Sequence, residues 1–212
     1  MYNYIKNPEE IYQESFRIID SEIDFSSSTD QYKKLVTRII HACGDTSILK
    51  DLIVSKHAIL SGINAINNQS DILVDSKMVQ AGVIVKNLSN NKIRCFIKNK
   101  KVERIAKEKN ITRSAASVDL WKKYISNSIV IIGNAPTALF RTLEFLNQSE
   151  VRPKLIIGMP LGFVGAEESK EELINNKFGI EHITIRGRRG GSAMACAAIN
   201  SIALMNCDEE KN

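Results

Sequence analysis

The sequence predicts a single α/β domain. A largely parallel β-sheet is flanked by helices on both sides, in three α/β/α layers. Three observations predict it. Short, continuous apolar runs recur in the second half of the chain, at Ile129–Ile132, Leu155–Ile157 and Ile183–Ile185. A strand that is apolar at every position is buried on both faces, as in parallel sheets. Each run is followed by a glycine-bearing turn and then a helical pattern, the alternation that builds βαβ units. With 212 residues, 43% hydrophobic and 25% charged, the chain has the length of one domain and needs neither disulfide nor metal to hold a core.

The elements follow in order. Asn7 caps a first helix, Pro8 suits its first position, and Glu9 and Glu10 face the positive dipole end. Tyr12, Phe16, Ile19 and Ile23 make its apolar stripe. Asp30 is read as the cap of a second helix reaching Cys43, with Val36, Ile39, Ile40 and Cys43 as its apolar face and Gly44 as terminator. A third helix is expected over Ser55–Asn67, a strand over Asp71–Val74, a short helix from Ser76 and a strand over Ile93–Ile97. Helices are expected over Val102–Lys109 and Ser114–Ile125. After the Ile129–Ile132 strand comes a helix over Pro136–Leu146, and after Leu155–Ile157 one over Glu167–Asn175. The Ile183–Ile185 strand leads through Gly187-Arg188-Arg189-Gly190-Gly191 into a helix of small residues, Ser192–Met205. One domain over residues 1–206 and a polar tail over 207–212 are expected.

The net charge of +5 suits an anionic ligand and does not call for nucleic acid. The composition excludes disordered, collagen-like and disulfide-knot classes. The apolar runs are too short to span a bilayer, and the opening MYNYIKNPEE has no apolar signal-peptide core. A cytoplasmic protein with no membrane partner is the expectation. Cys43, Cys95, Cys196 and Cys207 show no CxxC spacing, and with three histidines they form no zinc set. They read as thiols in a reducing cytosol.

In parallel sheets, ligands bind beyond the carboxyl ends of the strands. Three glycine-bearing turns fall there: Gly133-Asn134-Ala135-Pro136-Thr137, Gly158–Gly165 and Gly187–Ser192. In the third, Arg188 and Arg189 precede Gly190, Gly191 and Ser192 at a helix start, an arrangement suited to carboxylate or phosphate. None of the turns is a GxGxxG or GK[ST] loop. His57 and His182 read as structural. His41 lies near the end of the second helix, where the dipole favours the acid form, and shares a stripe with Lys34 and Arg38. Arg113 follows the capping hydroxyl of Thr112, and Ser15 points from the first helix on the Ile11 and Ile18 side. On these residues alone, an ordinary set of βα turns, caps and a half-buried histidine stands beside an anion-binding edge.

Several strings are specific together: Ile11-Tyr12-Gln13-Glu14-Ser15-Phe16, His41-Ala42-Cys43-Gly44, Asn110-Ile111-Thr112-Arg113-Ser114-Ala115-Ala116, Gly133-Asn134-Ala135-Pro136-Thr137-Ala138-Leu139, Gly158 to Lys170, and Gly187-Arg188-Arg189-Gly190-Gly191-Ser192-Ala193-Met194. In this order, from about Tyr4 to about Leu204, they resemble the precorrin-8X (cobalt-precorrin-8) methylmutases of the corrin pathway. The resemblance implies an isomerase that moves a methyl group from ring carbon 11 to carbon 12, giving hydrogenobyrinic or cobyrinic acid. It implies no cofactor, any cobalt belonging to the substrate, and a homodimer with its sites near the interface. His41 matches the family's catalytic histidine. Ser15, Arg38 and Arg113 match substrate contacts. Arg189 stands where family members often carry another residue, so its role is not implied. The site set is then His41 as general acid, with Ser15, Arg38, Arg113, Arg188, Asn134, Thr137, Gly190, Gly191 and Ser192 around a polycarboxylate macrocycle. Two other functions would draw on different residues. A non-catalytic corrin carrier would use the same arginines without His41, and a nucleotide-dependent enzyme would need the missing phosphate loop.

Overall fold

The computed structural model describes residues 2–209. The strands are β1 (Leu52–Val54), β2 (Ile72–Val74), β3 (Ile93–Arg94), β4 (Ile129–Ile132), β5 (Leu155–Gly158) and β6 (His182–Ile185). The helices are α1 (Pro8–Glu22), α2 (Asp30–Cys43), α3 (Ala58–Asn67), α4 (Lys77–Gly82), α5 (Lys100–Lys109), α6 (Arg113–Val118), α7 (Pro136–Asn147), α8 (Ala166–Ile174) and α9 (Ser192–Glu209). A 3-10 helix over Thr46–Asp51 leads into β1.

The strands form one sheet in the order β1-β6-β5-β4-β2-β3. Every pairing is parallel except β1 with β6, which is antiparallel. The predicted three-layer architecture is therefore present, with one reversed edge strand. Alternation along each strand divides the core. Ile72, Val74, Ile129, Ile131, Leu155 and Ile157 face a cluster with α1, α2, α3 and α9. Leu73, Val130, Ile132 and Ile156 face the opposite layer, with Trp121, Leu139 of α7 and Leu173 of α8. The period of two sends successive side chains to opposite layers. Helix α9 is small and apolar around much of its circumference and buries Ala195, Ala198, Ile199 and Ile202.

Where boundaries moved, local bonds explain the shift. Thr29, not Asp30, caps α2, its hydroxyl accepting the Tyr32 N–H at 3.2 Å. Gly44 ends the helix as expected, at φ +65°. Helix α3 begins at Ala58 rather than Ser55 because the Glu181 carboxylate takes the Ser55 hydroxyl and the His57 N–H. Helix α6 stops at Val118 because the bonding tightens into i→i+3 turns, Leu120 N–H to Ser117 O at 3.0 Å and Trp121 N–H to Val118 O at 2.9 Å. Cys43, assigned to the apolar face of α2, is exposed. β3 is shorter than the Ile93–Ile97 run. Helix α9 continues to Glu209, past residue 206, and residues 210–212 of the expected tail lie outside the described residues.

Candidate active site

The carboxyl edge of the sheet carries three linked groups of residues. The first surrounds His41. Ser15 Oγ lies 2.7 Å from His41 Nδ1. Tyr12, one turn before Phe16 on α1, stacks on the imidazole with ring centroids 5.1 Å apart, and Phe16 meets it edge-on at 5.7 Å. The guanidinium of Arg38 sits 5.8 Å from the centre of the Phe16 ring. The stripe read as core thus divides. Ile19 and Ile23 are buried, while Tyr12, Ser15 and Phe16 form a face toward His41. Their spacing of three and one was the signal for this shared face, and an aromatic stripe reads first as core. Nδ1 is engaged by Ser15, so among the described residues Nε2 has no protein partner. It is the nitrogen free to give or take a proton. Lys34, expected on the same stripe, is paired with Asp30 at 2.9 Å.

Ser15, Ile18, Ile19, His41, Asp45 and Thr46 line a cavity of about 280 Å³ beside the imidazole. Its far wall is the segment after α2. There the Thr46 hydroxyl bonds to Glu22 at 2.8 Å. Hydrogen bonds from Ser47, together with Arg189, hold the Asp45 carboxyl below its ordinary range.

The second group is the turn after β6. Gly190 adopts φ +153°, and a Cβ there would lie 2.5 Å from the Met159 carbonyl oxygen. Only glycine allows the β6 and β5 turns to close this way. The Gly191 N–H donates to Met159 O at 2.8 Å, and the Gly162 N–H donates to Arg188 O at 3.2 Å. A cleft of about 390 Å³, mostly apolar, runs between Cys43, Ile48, Leu161, Phe163, Arg188 and Met194. Arg188 lies over the exposed Phe163 ring at 5.4 Å. Ser192 opens α9 and is buried.

The third group joins β2, β4 and two helix starts. Asp75, buried at the end of β2, accepts N–H groups from Gly133 at 3.2 Å, Asn134 at 2.9 Å and Ala135 at 2.8 Å. Burial pushes its carboxyl up from the ordinary range, and these N–H bonds pull it back. The strand order reverses between β2 and β4, and such a switch point is where open α/β sheets hold ligands. Thr137 of α7 and Thr112, the cap of α6, share a hydrogen bond of 2.7 Å. Asn134, Thr137 and Arg113 are all exposed along this line. Gly133 packs tightly on Ser192, where a Cβ would stand 2.9 Å from its Cα. That contact joins the third group to the second.

The residues predicted from sequence therefore do not share one enclosed pocket: Ser15 and His41 line one cavity, Arg38 another with Phe16 and Asp20, and Arg188 and Gly190 a third. The arginines divide by partner. Arg17, Arg94, Arg104, Arg141, Arg186 and Arg189 each meet a carboxylate. Arg152 donates to the carbonyls of Ser149 and Val151. Among the described residues, Arg38, Arg113 and Arg188 have no carboxylate partner. Asp75 and Asp45 stand in these groups and were not singled out by the sequence, whereas Tyr12 and Phe16 were read there as apolar core and instead pack on His41. Among the described residues, no cluster of three His, Cys, Asp or Glu is placed to hold a metal ion, and no helix is long and apolar enough to cross a membrane.

The family model described as CbiC, precorrin-8X methylmutase, matches residues 10–205. A precorrin-8X methylmutase of Pseudomonas aeruginosa is 42% identical over 204 residues, covering 96% of this chain and 98% of the relative. A cobalt-precorrin-8 methylmutase of Methanocaldococcus jannaschii is 40% identical over 168 residues, 79% of this chain and 77% of the relative. The solved precorrin-8x methyl mutase of Thermus thermophilus superposes with a TM-score of 0.84 at 32% identity, covering 95% of this chain and 97% of that one.

Proposed function

The chain belongs to the precorrin-8X methylmutase family, an isomerase family of cobalamin biosynthesis, and we propose that it moves the methyl group from carbon 11 to carbon 12 of a precorrin-8 macrocycle with His41 as general acid. The observation that carries this reading is the 2.7 Å contact between Ser15 Oγ and His41 Nδ1. It fixes the imidazole and leaves Nε2 to hold the proton that is given. A proton passes from Nε2 to the conjugated ring. The methyl group then migrates with its bonding pair to the adjacent carbon, and loss of a proton from the ring leaves an isomer. General acid catalysis of this kind contributes about 10²–10⁴-fold.

The substrate is a flat apolar ring edged with acetate and propionate groups. Arg38, Arg113 and Arg188, which lack an acid partner among the described residues, are suited to those carboxylates. Asn134, Thr137, Ser192 and the turn at Gly190 and Gly191 complete the edge. The reaction, in this reading, needs no cofactor of the protein's own, and any cobalt enters with the substrate. The enzyme works in the cytoplasm as a homodimer. Ile11, Tyr12 and Ile18, all exposed on α1, suit a face covered by a second copy.

The test is incubation with cobalt-precorrin-8 or precorrin-8, followed by absorbance. Wild type converts the substrate. His41→Ala and His41→Asn keep most of the affinity for the corrin product and lose conversion. Turnover by His41→Ala within tenfold of wild type would rule out His41 as the acid. A wild type that binds product but never forms it would favour the carrier.

A further inference from the structure

Arg189 is the arginine of the Gly187–Ser192 turn whose role the family resemblance leaves open, and its surroundings are unlike those of Arg188 beside it. Its Nη1 donates to Asp45 Oδ2 at 2.7 Å and to Ser47 Oγ at 2.8 Å, and its Nη2 donates to Asp51 Oδ2 at 2.6 Å. All three partners belong to the segment that follows α2 and leads into β1. The Arg189 carbonyl is fixed from the other side, where the fully buried Lys170 of α8 donates to it at 2.6 Å. The next residue, Gly190, is closed against Met159. The main chain of Arg189 is thus anchored to the sheet edge, and its side chain grips the 44–51 segment.

That segment is a wall of the histidine site. Asp45 lines the cavity that contains His41 and Ser15, and also the cleft that contains Arg188 and Gly190. The Asp45–Arg189 ion pair stands between the two. Two carboxylates surround one guanidinium, so the cluster carries net negative charge and does not attract a further carboxylate.

We propose that Arg189 is a positioning residue, which holds the 44–51 segment and with it the C-terminal turn of α2, so that His41 faces the macrocycle, and that it is not a ligand of the substrate. This rests on the reading of His41 as the acid. A displacement of about 1 Å at a reacting group costs on the order of 100-fold in rate, whereas the arginines left without acids bear the affinity.

The test is a set of variants read in three ways: turnover of cobalt-precorrin-8, affinity for the corrin product, and amide hydrogen exchange of residues 44–51. Arg189→Met should lower kcat by about 10–100-fold, leave product Kd within about threefold of wild type, and speed exchange across 44–51. Asp45→Asn gives a second reading that keeps the arginine. If Arg189 positions the wall, Asp45→Asn lowers kcat and does not tighten product binding. If Arg189 binds substrate, freeing it tightens product binding, and that result overturns the proposal. A product Kd weakened more than tenfold in Arg189→Met with unchanged exchange overturns it as well. The double variant separates this inference from the one beneath it. Where His41→Ala keeps a measurable residual turnover and Arg189→Met adds no further loss to it, Arg189 acts through His41. Additive losses refute that route. His41→Ala that turns over like wild type refutes His41 as the acid, and with it the route from Arg189 to the chemistry.

Discussion

The hydroxyls of Thr112 and Thr137 meet at 2.7 Å and join the start of α6 to the start of α7. Arg113 follows one and Asn134 lies three residues before the other, so two residues proposed to meet the substrate share a single mechanical link. Thr112 also caps α6 through the Ala115 N–H at 3.1 Å, whereas Thr137 has no cap to keep. Thr137→Val should therefore weaken corrin binding with little loss of stability. Thr112→Ala should weaken binding and also cost about 1 kcal/mol in unfolding experiments. Equal stability losses in the two variants would show that the shared bond, not the cap, dominates.

Arg113→Ala and Arg38→Ala each remove a guanidinium with no acid partner among the described residues. A charge-assisted bond to a carboxylate is worth about 1.5–3 kcal/mol, so product Kd should rise about 10–150-fold in each. Because these side chains leave no carboxylate behind, melting temperature should hardly move. Titration of the corrin product by absorbance checks the first statement and calorimetry the second.

Ser15→Ala removes the partner of His41 Nδ1 and leaves the ring between Tyr12 and Phe16. A hydrogen bond of this kind is worth about 0.5–1.5 kcal/mol net, so kcat should fall about 2- to 12-fold, with product affinity kept. An unaltered kcat in Ser15→Ala would show that the contact does not serve catalysis.

Lys170 gives a pH signature of its own. Burial brings its ammonium down from 10.5 to about 8. Between these values the unfolded chain holds a proton that the folded chain has released, so stability rises with pH by at most about 1.4 kcal/mol per unit. Cys196 acts in the opposite sense. Burial lifts its thiol from 9 to about 11, so above pH 9 the unfolded chain loses a proton that the folded chain keeps. The gain should be visible between pH 8 and 9 and offset above it. Lys170→Met should flatten the first slope, and Cys196→Ala should extend it, in urea titrations at each pH.

Gly190→Ala should cost about 2–5 kcal/mol, since a Cβ meets main-chain oxygen of Met159 and the backbone angle suits only glycine. Gly44→Ala, at a position with open space around it, should cost about 1 kcal/mol from the left-handed angle alone. Paired unfolding curves give the difference.

The fold was legible where burial and sequence period agree. Ile129–Ile132 is apolar at every position because both layers cover it, and Gly44 announces the end of α2 because only a left-handed residue can close that turn. β1 was not legible. Leu52-Ile53-Val54 is three residues long, follows a 3-10 helix, and owes its strand state to Ile183–Ile185, more than a hundred residues onward. The site divides in the same way. His41 shows itself by its place at a helix end, and the arginine turn by its glycines. Asp75 is a single acid after a strand, and its purpose appears only when the Gly133–Ala135 N–H groups arrive from far along the chain. The Arg189 side chain reads as an anion receptor until Asp45 and Asp51 are seen to occupy it.

The reversed sense of β1 has an electrical consequence. Entering the sheet from the carboxyl rim, β1 brings the end of α2 to the rim where α7, α8 and α9 begin. A uniformly parallel sheet collects helix beginnings there, a rim of one polarity that welcomes anions but opposes a protonated base. One strand laid the other way supplies the missing pole. The rim then joins the positive ends of α7, α8 and α9 to the negative end of α2.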